Sequence, residues 1–336
     1  MDDFAPDDLA HGGALDHMRA AFPDAPEPWA DLSTGINPWP YPTDGSAVSS
    51  VCALPTRTAF DACRRAMAAA FGAPPASVTP GPGSELLIRL LPTAIAPRRV
   101  AVLSPSYGDH ALVWRAAGCE VIEAADPVSR AAEVDAVVIC NPNNPDGRIF
   151  SRRSLEAARE TLAARGGWLI VDEAYADLDP SLSLAPQGGA EGLIVLRSFG
   201  KFYGLAGLRL GAMLAPEDVR IRMAARLGTW PVSGPALEIG ARAYADAAWA
   251  SATRARLAEA RSRLDALLEN HDLSIIGGTD LFRYVETDGA QALWTRLARA
   301  GVYLRRFSWS ARHLRIGLPR DGGTETRLAR ALTPSA

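Results

Sequence analysis

The sequence predicts an α/β protein in two lobes: a large domain built on a doubly wound, mostly parallel sheet, and a smaller α+β domain towards the C-terminal end. Three observations carry this. Short apolar runs of strand length alternate with segments of helical period from about Val78 to Val171, the pattern of a parallel sheet covered on both faces. Polar, chemistry-bearing residues follow four of the apolar runs, where ligands collect on open α/β sheets. The chain also has 336 residues, more than a single hydrophobic core ordinarily serves.

Taken in order, residues 1–36 read as an N-terminal arm associated with the small domain and the active site. His11-Gly12-Gly13 precedes an amphipathic run through Phe22, and Pro23, Pro26 and Pro28 follow. Asp31-Leu32-Ser33-Thr34-Gly35-Ile36-Asn37-Pro38 turns a short strand into a loop that can bring Asn37 to a ligand. On its own His11 reads as a solvated arm residue. The large domain is expected over 37–215. Its first helix follows the apolar spacing from Thr58 to Phe71 and stops at Gly72 and Pro74-Pro75. Gly81-Pro82-Gly83-Ser84-Glu85 then forms a turn that opens a helix, where free backbone N–H groups and the helix dipole suit a phosphate. By itself that signal equals an ordinary helix cap.

Strands are expected at Val100–Leu103, Val121–Glu123, Ala136–Cys140 and Trp168–Val171, with helices at Gly108–Ala117 and Arg152–Ala164. The four polar strand ends are Ser104-Pro105-Ser106-Tyr107, Asn141-Pro142-Asn143-Asn144, Asp172-Glu173-Ala174-Tyr175 and Ser198-Phe199-Gly200-Lys201. From Pro216 the composition shifts to alanine- and arginine-rich helices, so the small domain is expected over 216–336. It would hold strands at Leu273–Ile276, Leu281–Glu286, Val302–Arg305 and His313–Ile316, with helices at Ala290–Ala300 and near the end.

Composition narrows the function. A net charge of −3 offers no broad basic surface for nucleic acid or an anionic membrane. No apolar run is long enough to span a bilayer, and the start of the chain is acidic where a secretory signal would be basic. A cytoplasmic protein is expected. Cys52, Cys63, Cys119 and Cys140 are scattered, which suggests reduced thiols and neither a metal site nor a disulfide framework.

Lys201 is the single lysine of the chain. A lysine amine can lose its proton near neutral pH and condense with a carbonyl; arginine cannot. With Ser198 three residues before it and Arg209 eight after, an imine-forming amine stands beside phosphate ligands. That combination points to pyridoxal 5'-phosphate (PLP), which carries both an aldehyde and a phosphate.

These motifs, in this order, resemble the fold-type I, PLP-dependent aminotransferase superfamily over nearly the whole chain. The resemblance implies that Lys201 bonds the cofactor and shuttles protons and that Asp172 partners the pyridinium nitrogen. It also implies that Asn144 and Tyr175 bond the ring hydroxyl oxygen and that Tyr107 stacks on the ring. Gly83, Ser84, Ser198 and Arg209 match the phosphate cup, with Glu85 beside it, and Arg315 matches the arginine that clamps the substrate carboxylate. Two positions depart from the pattern. Asn144-Pro145-Asp146-Gly147 has aspartate in place of threonine, and Leu54-Pro55-Thr56 lacks the tyrosine that reaches the neighbouring subunit's cofactor phosphate.

Within the superfamily the chain resembles the branch of histidinol-phosphate aminotransferases and threonine-phosphate decarboxylases, the latter more closely on His11-Gly12-Gly13 and Ser33 to Pro38. The resemblance implies a small phosphorylated amino-acid substrate, with His11, Asn37 and Arg305 at its phosphate, and a homodimer. Arg306 is the adjacent alternative to Arg305, although strand alternation sends it to the opposite face. Decarboxylation of L-threonine O-3-phosphate is the expected reaction, with transamination of histidinol phosphate or a related amino acid, or a non-catalytic binding role, as alternatives.

Overall fold

In chain order the elements of the computed structural model, which describes residues 12–43 and 50–333, begin with α1 (Leu15–Ala21), β1 (Ala30–Leu32), α2 (Arg57–Phe71), β2 (Val78–Gly81) and α3 (Ser84–Ile95). There follow β3 (Arg99–Leu103), α4 (Asp109–Ala116), β4 (Glu120–Ala124), β5 (Ala136–Cys140), α5 (Arg152–Ala163), β6 (Trp168–Asp172), β7 (Leu193–Ser198), α6 (Phe199–Phe202) and β8 (Gly211–Leu214). The remainder is α7 (Glu217–Leu227), α8 (Gly234–Ala245), α9 (Ala247–Glu269), β9 (Ser274–Thr279), β10 (Phe282–Glu286), α10 (Ala290–Arg299), β11 (Val302–Phe307), β12 (Ser310–Gly317) and α11 (Gly322–Leu332). His11 lies outside the described residues.

Two compact units emerge. The larger comprises Pro40–Asn144 and Arg148–Ser251 and contains a seven-stranded sheet in the order β2-β8-β7-β6-β5-β3-β4. Strands β3 to β7 pair in parallel, while β8 runs antiparallel to both β7 and β2. Every residue of β5 and β7 is buried, as strands covered on both faces must be. One core joins Leu87 and Leu91 of α3 and Trp114 of α4 to Val138, Ile170 and Ile194 of the sheet. Helix ends follow local chemistry: Thr56 and Ser151 cap α2 and α5 by accepting the N–H groups of Ala59 and Ser154. The chain leaves β3 to one side for β4 and returns on the other for β5, so the strand order reverses between β3 and β5. Ligands favour such a switch point.

The smaller unit comprises the described residues up to Trp39, then Pro145–Gly147 and residues 252–333. Its five-stranded sheet runs β1-β11-β12-β10-β9. The arm contributes β1, which pairs in parallel with β11 from Ala30↔Val302 to Leu32↔Leu304.

The division therefore falls within α9, and the boundary expected near Pro216 moves towards the C-terminus. The reason is packing: Val219 and Met223 of α7 join the large core, and Gly240 of α8 lies so close to Cys63 of α2 that a Cβ there would meet its sulfur at 3.2 Å. The change to alanine and arginine marks a change of helix composition, which does not coincide with the point where the chain leaves the first core. Strands β2 and β8 add two further members to the sheet; each is only four residues long, and β2, at the sheet edge, carries a proline and a glycine that weaken its strand signal.

Candidate active site

Asp172 ends β6, in register with Cys140 of β5 and Leu196 of β7. Its Oδ2 lies 3.1 Å from His110 Nε2, and its Oδ1 accepts the N–H of Ala174 at 3.1 Å. Asp172 and His110 are 4% and 2% exposed, so this carboxylate is held by protein groups in place of water. Tyr175, three residues on, is also buried.

Lys201 sits on the one-turn helix α6, directly after β7. Phe199 and Phe202 on either side of it are fully buried. Phe199 stacks on Tyr203 at 4.6 Å, and Phe202 meets Trp249 edge-on at 5.7 Å. Aromatic packing of this kind fixes the backbone from which the lysine stem leaves.

The start of α3 has Gly83 as N-cap, at φ 85°, with no side chain capping it. A Cβ at Gly83 would lie 2.7 Å from Arg209 Nη2, and one at Gly211 would lie 2.6 Å from the amide nitrogen of Ser84. Gly211 pairs with Ser198 on one side and Gly81 on the other. Gly83, Ser84, Ser198 and Arg209 are thus brought together around the first turn of a helix. Backbone N–H groups at the positive end of a helix dipole, joined by hydroxyls and a guanidinium, make an anion seat.

Tyr107 follows β3. Its hydroxyl lies 2.6 Å from Glu85 Oε2 and 2.8 Å from Asp109 Oδ2, and Arg89 pairs with both carboxylates at 2.6 and 3.2 Å. Burial, and then the two carboxylates, push the Tyr107 phenol well above its ordinary range. Glu85, expected beside the anion seat, directs its carboxylate to Arg89 and Tyr107. After β5, Asn143 accepts from Ser106 at 2.7 Å and donates to the Pro105 carbonyl at 3.0 Å. These bonds tie together the two loops at the switch point, where Asn144 is half-buried.

In the smaller unit, Arg305 of β11 and Arg315 of β12 form a register pair. Directly opposed residues project from the same sheet face. Arg315 is 6% exposed, donates to the Ser33 carbonyl at 2.7 Å and lies 5.0 Å from the Phe282 ring centre. Arg306 takes the other face, bonding Gln291 at 3.0 Å and stacking on Trp294 of α10. Asn37 is buried, and its Oδ1 accepts the Trp39 N–H at 2.9 Å, the turn geometry expected of that stretch.

Two features escaped the sequence reading. One is His110, whose N–H bonds back to the Tyr107 carbonyl; its spacing of three from Tyr107 at a helix start was the available signal. The other is Arg197, 2% exposed, which bonds Glu173 at 3.1 Å, pairs with Asp177 and lies 4.3 Å from the Phe71 ring centre. Burial, and with it only partial compensation from Arg197, moves the Glu173 carboxyl above its ordinary value.

Residues 49–333 match the family model described as aminotransferase class I and II. The chain belongs to that family. It is 43% identical to a threonine-phosphate decarboxylase from Sinorhizobium sp, covering 96% of this chain and 97% of that one. It is 40% identical to a threonine-phosphate decarboxylase of Pseudomonas aeruginosa, over 96% of this chain and 97% of that one. Among solved structures, the histidinol-phosphate aminotransferase from Sinorhizobium meliloti in complex with pyridoxal-5'-phosphate superposes with a TM-score of 0.81. It has 19% identity and covers 99% of this chain and 97% of that one. That likeness bears on the fold, and it agrees with the doubly wound sheet and the α+β unit described above. Among the described residues, no helix is long and apolar enough to cross a membrane.

Proposed function

We propose that this chain is a PLP-dependent carboxy-lyase that converts L-threonine O-3-phosphate to (R)-1-amino-2-propanol O-2-phosphate for cobalamin biosynthesis. The full-length similarity to two threonine-phosphate decarboxylases supports the reaction. The observation that carries the substrate class is the register pair Arg305↔Arg315. Directly opposed residues share one sheet face, so two guanidinium groups stand where a short substrate carrying more than one anion can meet both.

The residues present fit PLP. The uncapped start of α3, the close approach of Gly83 to Arg209 and the adjoining Ser84 and Ser198 suit its phosphate, and a buried carboxylate at Asp172 suits its ring nitrogen. When bound, PLP supplies an aldehyde for the substrate amine and a protonated ring that accepts electrons released at Cα. Asp172, oriented by His110 and the Ala174 N–H, holds the proton on that nitrogen. Asn144 and Tyr175 would take the ring hydroxyl oxygen, and Tyr107 would cover a ring face. Lys201 supplies the amine that bonds the cofactor. Lys201 Nζ would also be the group that returns a proton to Cα in place of the carboxylate lost as carbon dioxide. Arg315 would hold the α-carboxylate, while Arg305, with Asn37, would hold the phosphate. Binding energy at the remote phosphate orients the bond that breaks.

The second reading is transamination, favoured by family membership itself. A decarboxylase sets the Cα–carboxylate bond perpendicular to the ring, whereas a transaminase sets the Cα–H bond there. Products from phosphorylated amino acids with and without 2-oxoglutarate distinguish them: carbon dioxide without glutamate is expected, and glutamate formation would favour the second reading. Lys201→Arg keeps the charge and should abolish both reactions. We also read the enzyme as a cytoplasmic homodimer, supported by strongly exposed Val51, Leu54 and Trp230 and by four free cysteines.

A further inference from the structure

A groove of about 1510 Å³ lies in the smaller unit, lined by α10 and α11. Arg296 and Arg299 of α10 and Arg327 and Arg330 of α11 line it, together with Thr295 and Thr326, and among the described residues no aspartate or glutamate does. Positions 295, 296 and 299, and likewise 326, 327 and 330, recur at helical spacing, so each helix contributes one basic stripe.

Several other arginines of this unit have acidic partners. Arg261 pairs with Asp265 and Asp280, Arg263 with Glu325, Arg283 with Asp265, and Arg312 with Glu286 and Asp288. The four groove arginines have no carboxylate partner among the described residues. Arg296 donates to the carbonyls of Ala331 and Leu332 at 2.9 and 2.8 Å, and Arg327 donates to that of Pro28. Those bonds hold the two guanidinium groups in place without neutralising them. Arg299 and Arg330 are exposed and able to turn to a ligand.

We propose that this groove binds a small molecule carrying two or more phosphate groups. Guanidinium forks match phosphate oxygens in geometry as well as charge, and two cations from each helix exceed what a single phosphate engages. A chain of net charge −3 has no wide basic field for a nucleic acid, which favours a compact anion. The groove shares no residue with those assigned to PLP or threonine phosphate, and the proposal stands apart from the decarboxylase reading.

Calorimetric titration of the PLP-loaded protein with inorganic triphosphate, in phosphate-free buffer of low ionic strength, tests it. Triphosphate should bind the parent more tightly than orthophosphate does. Arg299→Ala with Arg330→Ala should weaken it at least about 10-fold for each arginine, the loss of a charge-assisted contact, with threonine-phosphate turnover unchanged. Arg305→Ala should leave triphosphate binding intact, which separates the groove from any phosphate site at that residue. Arg299→Lys with Arg330→Lys keeps the charge and should retain part of the affinity, guarding against a folding defect in the alanine pair. No binding to the parent, equal binding to parent and alanine pair, or loss of binding in Arg305→Ala would each overturn the proposal.

Discussion

Arg305 and Arg315 stand directly opposite each other on antiparallel strands, so two guanidinium groups leave the same face of one sheet, while Arg306 turns to Gln291 and Trp294 on the other. This arrangement selects between neighbouring arginines. Arg305→Ala should lower kcat/KM for threonine phosphate by about 2 kcal/mol, roughly 30-fold, with PLP content unchanged. Arg306→Ala should leave kcat/KM within about twofold. Steady-state kinetics on the two variants checks both, and equal losses would remove the assignment.

His110 is nearly fully buried beside Asp172. His110→Ala leaves one carboxylate oxygen without its partner, at a cost of about 1–3 kcal/mol. The expected outcome is faster loss of PLP on dialysis and a shifted cofactor absorbance, with helix content preserved. His110→Gln, which can still donate to Asp172, should recover part of the cofactor retention.

Gly83 caps α3 at φ 85°, with Arg209 where a side chain would stand. A residue with a Cβ is strained at this φ and ψ by about 1–3 kcal/mol and would also displace the guanidinium. Gly83→Ala should therefore reduce PLP affinity, measured by reconstitution of the apo protein, more than it lowers the urea midpoint. Retained cofactor affinity would argue against an anion seat at this helix start.

Burial pushes the Cys63 thiol up to about 12 from an ordinary value of 9.0. Because the folded pKa exceeds the unfolded one, the neutral thiol's contribution is fully present below pH 9 and is lost as pH rises from there towards 12. Burial also raises the Tyr244 and Tyr107 phenols, which acts in the same direction. Denaturant unfolding between pH 8 and 11 should show falling stability, and Cys63→Ala should flatten that alkaline limb. In the native protein a thiol reagent should modify exposed Cys52 first and reach buried Cys63 and Cys140 only on unfolding.

The alternation of strands and helices was legible in the sequence because hydrophobic period is local. Segments such as Ala136–Cys140 and Trp168–Asp172 needed only their own residues to declare strand. The cofactor candidates were legible too, since Lys201, Asp172 and Ser198 follow apolar runs, and strand ends deliver side chains to one edge of a parallel sheet. Their roles came from the resemblance, because spacing does not say what a strand end binds.

Other features depended on residues far apart in the chain, and only the tertiary structure decided them. His110 meets Asp172 across 62 positions, and Arg197 meets Glu173 across 24; no local pattern announces a buried polar pair. The larger unit continues to Ser251 because α7 and α8 pack on the first core, a fact of side-chain contact that composition does not carry. Strand alternation separated Arg305 from Arg306 in advance, but which of them shares a face with Arg315 depended on the β11–β12 register. Register is a non-local choice, set by how two strands bury their faces together.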